Sequence, residues 1–266
     1  MPKKQKAPDK SPVVTQRNKI DFDFNIRERN DLTDKQKQFI DLVLDKGAKI
    51  VFVDGPAGTS KTFLGVYCAL KCLQNKSVSD IYYIRSIIES ASKSLGSLPG
   101  SENEKLHPFL MPLYDKLDEI IGESTTNKLI KDERIQGIPV NYLRGASWNA
   151  KFVLLDEAQN LNFGEKTTVI SRLGKYSKLV IAGDTMQSDL NGKSGFKKMF
   201  DIFDTQSARD NGIHCFTFDK NDIVRSGVLK FILEEIEKYN LSLEISKKPR
   251  NESFDHLRTE IWQPSS

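Results

Sequence analysis

Gly55-Pro56-Ala57-Gly58-Thr59-Ser60-Lys61-Thr62 is a glycine-containing run closed by a lysine and a hydroxyl. Those residue types at that spacing can cradle a phosphate. Backbone N–H groups of such a loop, with the positive end of a following helix, converge on phosphate oxygens. Lys61 would neutralise β- and γ-phosphate charge and Thr62 would ligand Mg2+. The usual P-loop has Gly where Ser60 stands; serine is small and can enter a helix, so the loop is expected to survive, with nucleotide affinity and the rate of hydrolysis in question. Asp156-Glu157, followed by Ala158-Gln159, supplies the complementary chemistry: Asp156 to hold Mg2+ through water, Glu157 to polarise an attacking water. In Gly183-Asp184-Thr185-Met186-Gln187 the amide of Gln187 could touch the γ-phosphate or its water. Upstream, Gln36 in Leu32-Thr33-Asp34-Lys35-Gln36 carries a donor and an acceptor that match an adenine edge, or is an ordinary solvated residue at a helix start.

Such groups work only if rigid elements aim them at one point, and the flanking sequence supplies the elements. Ile50-Val51-Phe52-Val53, Ile81-Tyr82-Tyr83-Ile84, Phe152-Val153-Leu154-Leu155, Leu179-Val180-Ile181-Ala182 and Cys215-Phe216-Thr217-Phe218 are apolar runs unbroken by charge. They read as strands buried on both faces, which predicts an α/β fold with a parallel sheet flanked by helices. The glycine-rich run, the acid pair and the Gly-Asp segment each follow such a strand directly. Phe63, Leu64, Val66, Tyr67, Leu70 and Leu73 have helical spacing after the first strand, as do Ile223, Val228, Phe231, Ile232, Leu233 and Ile236 near the end. Gly96, Pro99, Gly100, Pro108 and Pro112 predict a long excursion without regular structure from Leu95 to Pro112.

The chain of 266 residues has 40 Lys and Arg against 36 Asp and Glu. Within residues 1–20, Lys3, Lys4, Lys6, Lys10, Arg17 and Lys19 face Asp9 alone, so the net positive charge is a property of that segment. It is expected to be a disordered basic arm, followed by one domain over 21–240 and a polar tail over 241–266. No run approaches the roughly 20 apolar residues of a membrane helix, and no apolar signal core follows the start, so a cytoplasmic protein without a membrane partner is expected. Cys68, Cys72 and Cys215 lie in apolar runs and read as reduced core thiols.

Taken together, the glycine-rich run, Asp-Glu-Ala-Gln, Gly-Asp-x-x-Gln and the upstream Gln resemble the first RecA-like lobe of superfamily 1 helicases. Further residues narrow the resemblance: Ile84-Arg85 with Glu89, Leu95-Gly96-Ser97-Leu98-Pro99-Gly100, Glu104-Lys105, Pro112-Leu113-Tyr114-Asp115, Leu143-Arg144-Gly145, Ser171-Arg172-Leu173-Gly174, Asp189-Leu190, Ser194-Gly195 and Asp222-Ile223-Val224-Arg225. From about Leu32 to Tyr239 the chain is similar to the PhoH family of phosphate-starvation-inducible ATPases. It departs from that pattern at Ser60, at Ser86-Ile87 where proline is common, and at Ser226 where histidine often follows the arginine.

The resemblance implies a single RecA-like P-loop NTPase domain that uses ATP and Mg2+ and acts on RNA or single-stranded nucleic acid. With no second lobe expected, a cation from a neighbouring copy would complete the site, which implies a homo-oligomer and, by family likeness, a hexameric ring. Arg172 and Arg225 are the finger or sensor candidates, or else structural ion-pair residues. Arg85, Lys93 and Lys105, with Tyr83, Phe109 and Tyr114, are candidates for contact with nucleic-acid phosphates and bases, or else core and ordinary surface. Two functions remain: an ATPase that remodels nucleic acid, and a nucleotide-gated RNA-binding module with little turnover.

Overall fold

A computed structural model describes residues 22–86, 102–140, 143, 147–186 and 195–224, six helical positions between 228 and 239, and no side chains over 102–108. The expected arm over 1–20 and tail over 241–266 lie outside the described residues, as do Lys93, Gln187 and Arg225. The chain divides into two units, Met1–Ile223 and Val224–Ser266. In the second, Val228, Phe231 and Ile232 are helical, as their spacing predicts, while Leu233 and Ile236 are outside the described residues. In the first, Ile223 is extended and ends a short turn instead of starting a helix.

The first unit is built on six strands: β1 Ile50–Asp54, β2 Asp80–Arg85, β3 Ile135–Pro139, β4 Lys151–Asp156, β5 Lys178–Gly183 and β6 Ile213–Thr217. They form one sheet in the order β3-β2-β4-β5-β1-β6, and every neighbouring pair is parallel. The sheet separates two cores, as strands apolar on both faces require. On one side α1 (Asp34–Leu44), α2 (Lys61–Gln74), α3 (Glu102–Ile121) and α4 (Glu123–Lys131) cover Val51, Val53, Ile81 and Leu154. The opposite face, with Phe52, Leu155, Leu179 and Ile181, packs with residues of α5 (Phe163–Ser171) and α6 (Phe196–Phe203). A short α7 (Gln206–Asp210) leads into β6.

The segment from Leu95 to Pro112 departs from expectation in part. Residues 102–112 belong to α3 despite Pro108 and Pro112. Each proline removes one backbone donor, but Leu113, Leu117, Ile120 and Ile121 recur at helical spacing and bury against the core, which outweighs the local loss. Strand β3 has no counterpart among the expected runs. Gln136, Gly137 and Pro139 interrupt its apolar pattern, and it holds an outer position where one side of the ladder is unpaired.

Candidate nucleotide-binding site

In a parallel sheet all strands end at one edge, and here the ends of β2, β4, β5 and β1 are neighbours. They deliver Arg85, Asp156, Gly183 and Asp54 in a row, with Arg85 in register with Asp156 and Asp54 with Gly183. The strand carrying Asp156 is separated from the strand carrying Asp54 by β5. Loop 55–60 leaves β1 in this row. A Cβ on Gly55 would lie 2.7 Å from Cβ of Phe218, so the loop can start where it does only without a side chain. Gly58 takes φ 93°, and Thr59 Oγ1 closes the turn by donating to the Pro56 carbonyl at 2.9 Å.

Ser60 does not enter the helix, contrary to the sequence reading. It caps α2 in the left-handed region, at φ 65° and ψ 24°, without a side-chain capping bond. This conformation explains why glycine suits the position: a side chain there costs about 1–2 kcal/mol. Lys61 opens α2, and its ammonium donates to the carbonyls of Gly55 at 2.5 Å and Pro56 at 3.0 Å. Burial lowers its pKa from the ordinary lysine value, while Asp184, Glu157, Asp156 and Asp54 all act to raise it. A half-buried cation that feels four carboxylates is the electrostatic signature of the site.

Asp156 is buried at the end of β4. Its Oδ1 and Oδ2 accept from Thr62 Oγ1 at 3.1 and 3.0 Å, and its Oδ2 also accepts from the Tyr83 hydroxyl at 2.7 Å. Desolvation by burial raises the Asp156 pKa from the usual carboxylate value; Glu157 adds to the rise, whereas the Tyr83 and Thr62 bonds and the charge of Arg85 oppose it. Glu157 sits at φ 52° in the left-handed region, a strained backbone for a long side chain. Its Oε2 accepts from Gln159 Nε2 at 2.6 Å, and its Oε1 lies 3.4 Å from Arg85 Nη2. The other end of the Gln159 amide accepts from the Asp184 backbone N–H at 3.1 Å. Asp54 fastens the next segment by accepting from the backbone N–H and the hydroxyl of Thr185, each at 2.9 Å.

These residues fit a magnesium nucleotide. Among the described residues no group of three His, Cys, Asp or Glu side chains is placed to hold a metal ion. An ion at this edge would therefore take Thr62 and Asp156 and complete its oxygen shell with water and phosphate, as Mg2+ commonly does. The buried Asp156 carboxylate, supported by neutral hydroxyls, is a donor of the required kind.

Of the other expected site residues, Gln36 is buried at the start of α1. Its Oε1 accepts from the Thr33 N–H at 3.1 Å in a capping box, and its Nε2 donates to the Thr59 carbonyl at 3.5 Å. It thus ties α1 to the phosphate loop. Arg172 ends α5, where its carbonyl accepts from the Trp148 N–H. Tyr83 is fully buried and bonded to Asp156, which selects the core alternative over a stacking group. Phe109 and Tyr114 are half-buried on α3. Cys68 and Cys72 are buried on α2 and burial raises their pKa values, as expected of core thiols. The support given to the acids by Tyr83 and Gln159, and the hold of Asp54 on Thr185, were missed in the sequence. The only signal was position, since Asp54 ends a strand that precedes a phosphate loop.

Comparison with known proteins follows the same outline. The family model described as PhoH-like protein matches residues 29–237. A PhoH-like protein of Bacillus subtilis (strain 168) is 37% identical over 191 residues, 72% of this chain and 59% of the relative. One of Mycobacterium bovis is 36% identical over 206 residues, 77% of this chain and 56% of the relative. The chain thus spans somewhat more than half the length of these relatives. Among solved structures, the SWI2/SNF2 ATPase core of Sulfolobus solfataricus in complex with dsDNA aligns at TM-score 0.46 and 15% identity, over 75% of this chain and 48% of that one. Unliganded Pif1 from Bacteroides sp aligns at TM-score 0.34 and 16% identity, over 76% and 44%.

Proposed function

This chain belongs to the PhoH-like protein family, and from that premise we propose that it is a cytoplasmic Mg2+-dependent ATPase that couples hydrolysis to remodelling of RNA or single-stranded nucleic acid. One observation carries the proposal: Asp156, buried at the end of β4, is bonded to Thr62 on the first turn of the phosphate-loop helix, with Glu157 beside it.

In this reading the loop N–H groups and the N-terminus of α2 bind the β- and γ-phosphates, and Lys61 turns from the Gly55 and Pro56 carbonyls to them. Mg2+ supplies charge neutralisation of the phosphate oxygens when bound, and Thr62 and Asp156 are the residues that would hold it. Glu157 orients and polarises the water, and Gln187 reads the γ-phosphate. Gln36, tied to the Thr59 carbonyl, links an adenine contact to the loop. Transfer leaves negative charge that Lys61 alone cannot balance amid four carboxylates. An arginine from a neighbouring copy, Arg172 or Arg225, would supply the missing cation in a homo-oligomer, with a hexameric ring as the favoured form.

The left-handed Ser60 favours a second reading, a nucleotide-gated RNA-binding module with little turnover. The test is the ATPase rate of the full chain with and without single-stranded RNA. Lys61→Ala is expected to abolish turnover, Glu157→Gln to trap bound ATP, and RNA to stimulate the wild type. Flat, negligible turnover selects the module instead. Turnover unchanged by either substitution would remove the ATPase proposal.

A further inference from the structure

Arg85 ends β2 in register with Asp156, which puts a guanidinium level with the acid pair on the neighbouring strand. It bears on both acids: its charge lowers the Asp156 pKa, and its Nη2 lies 3.4 Å from Glu157 Oε1. The second Glu157 oxygen is already taken, since Oε2 accepts from Gln159, whose amide is in turn fixed on the Asp184 N–H. Each oxygen of the carboxylate assigned to polarise water thus already accepts one contact, and loss of either contact returns negative charge to the group that would polarise the water. The two contacts are not equally easy to break. The Gln159 bond is short and lies in a buried network, with Gln159 itself 4% exposed. The Arg85 contact is longer, and its partners have side chains 26% and 37% exposed. Solvent, and an anion in it, can reach the Arg85 side. A guanidinium fork matches a phosphodiester better than a carboxylate oxygen met at a single nitrogen.

We propose that Arg85 is a positioning residue that restrains Glu157 until the phosphodiester backbone of a single-stranded polynucleotide takes the guanidinium and frees the carboxylate for water. This rests on the function proposed above and gives its nucleic-acid dependence a physical origin. The restraint is mild, because an ion pair this exposed shifts an equilibrium by only about twofold to fivefold. By linkage, whatever removes Glu157 from Arg85 must tighten polynucleotide binding by the same factor.

The test is a double-mutant cycle on the full, nucleotide-free chain, read as fluorescence anisotropy of a labelled oligouridylate at one fixed low salt concentration. Glu157→Gln keeps the shape and removes the charge, and is expected to tighten binding by about twofold to fivefold. Arg85→Met weakens binding, and adding Glu157→Gln to Arg85→Met gives no further tightening. In an Arg85→Lys background the Glu157→Gln effect returns in part, since the ammonium keeps the charge but not the fork. Equal tightening in the wild-type and Arg85→Met backgrounds would mean general charge repulsion and would overturn the proposal. So would displacement of the oligomer by uridine monophosphate at matched phosphate concentration, because the site would then take any small phosphate.

Turnover gives an independent arm. Arg85→Met is expected to raise basal kcat severalfold, leave KM for ATP unchanged and lose stimulation by the oligomer, whereas a fall in basal kcat would overturn the restraint. Melting temperatures verify that each variant folds. Failure of the underlying function looks different: wild type without turnover, or without any oligomer affinity, is seen before a variant is compared.

Discussion

The sheet carries two buried aspartates, one at each edge, and they are held in opposite ways. Asp80, fully buried at the start of β2, faces cations: Lys151 Nζ donates to its Oδ2 and Arg134 Nη1 reaches its Oδ1 at 3.3 Å, with the Ser79 hydroxyl at 2.8 Å. Asp156, equally deep at the end of β4, is held by the neutral hydroxyls of Thr62 and Tyr83. The first carboxylate has its charge balanced within the protein. The second sits beside another acid, and burial raises its pKa. A buried charge bonded only to hydroxyls, with the Arg85 guanidinium as the cation acting on it, is costly for the folded chain, and the cation of the proposed function would offset that cost. The difference separates an acid balanced within the fold from the acid to which the proposed function gives a metal, without reference to any relative.

Neutralising each acid in turn is the sharpest way to break this comparison. Asp156→Asn is expected to lower Mg2+-dependent turnover by at least about a hundredfold, in line with the loss of a metal-orienting group. The same change should raise the melting temperature of the ligand-free protein at neutral pH. The sign follows from the pKa: a carboxyl whose folded value is raised weakens the fold above that value and ceases to do so as pH falls through it. The gain should therefore vanish as pH drops into the ordinary carboxylate range. Scanning calorimetry of both proteins across pH measures this, and a melting point lowered at neutral pH would place Asp156 in the same category as Asp80.

Asp80→Asn should do the reverse. It leaves Lys151 and Arg134 beside a neutral amide in a largely buried network, a loss of about 3 kcal/mol. That corresponds to a fall of roughly 6–12 °C for a domain of this size. At a temperature where the variant is folded, its kcat should match the wild type within about twofold, because Asp80 lies at the edge remote from the phosphate loop. A large loss of kcat in folded Asp80→Asn would show that the two edges are not independent. Tyr83→Phe probes the hydroxyl support itself. It should raise the Mg2+ concentration needed for half-maximal turnover by about tenfold and change KM for ATP little. An unchanged Mg2+ requirement would leave Thr62 as the sole support of Asp156.

Much of the candidate edge was legible in the sequence, because its residues end or directly follow apolar strands: the phosphate loop after β1, Asp156-Glu157 at the end of β4, Gly183-Asp184 at the end of β5. Parallel topology then brings them together without further information. What could not be read is what depends on side chains meeting across strands. Tyr83 sits within an unbroken apolar run, and nothing local distinguishes a tyrosine that bonds an aspartate on the next strand from one that packs or stacks. The Arg85–Glu157 pair is a matter of strand register for the same reason. β3 escaped because its polar interruptions are affordable only at an outer position, which is a tertiary fact. Residues 102–112 of α3 escaped because proline statistics describe a helix in isolation, while burial of Leu113 and Leu117 decides it here.

Backbone strain offers the finest contrast between the edges, and the smallest predicted effect. Turns leading into β2 through β6 each contain a positive φ, at Lys76, Glu133, Ala150, Tyr176 and Gly212. Repetition at one edge marks these as the geometry by which a helix or turn hands over to a strand. At the other edge Ser60 and Glu157 are strained singly, each beside a group assigned to chemistry. If Ser60 only fills a position that glycine suits better, Ser60→Gly should relieve about 1–2 kcal/mol of left-handed strain. Glycine gives back roughly 0.4–1 kcal/mol through the unfolded chain. The net gain, about 0–1.6 kcal/mol, should appear as a rise of at most about 6 °C in melting temperature, with Kd for ATP unchanged or tighter. A variant that melts higher yet binds ATP more weakly would mean that the serine side chain itself meets the nucleotide. Ser60 would then belong with the functional edge by its chemistry and not merely by its conformation.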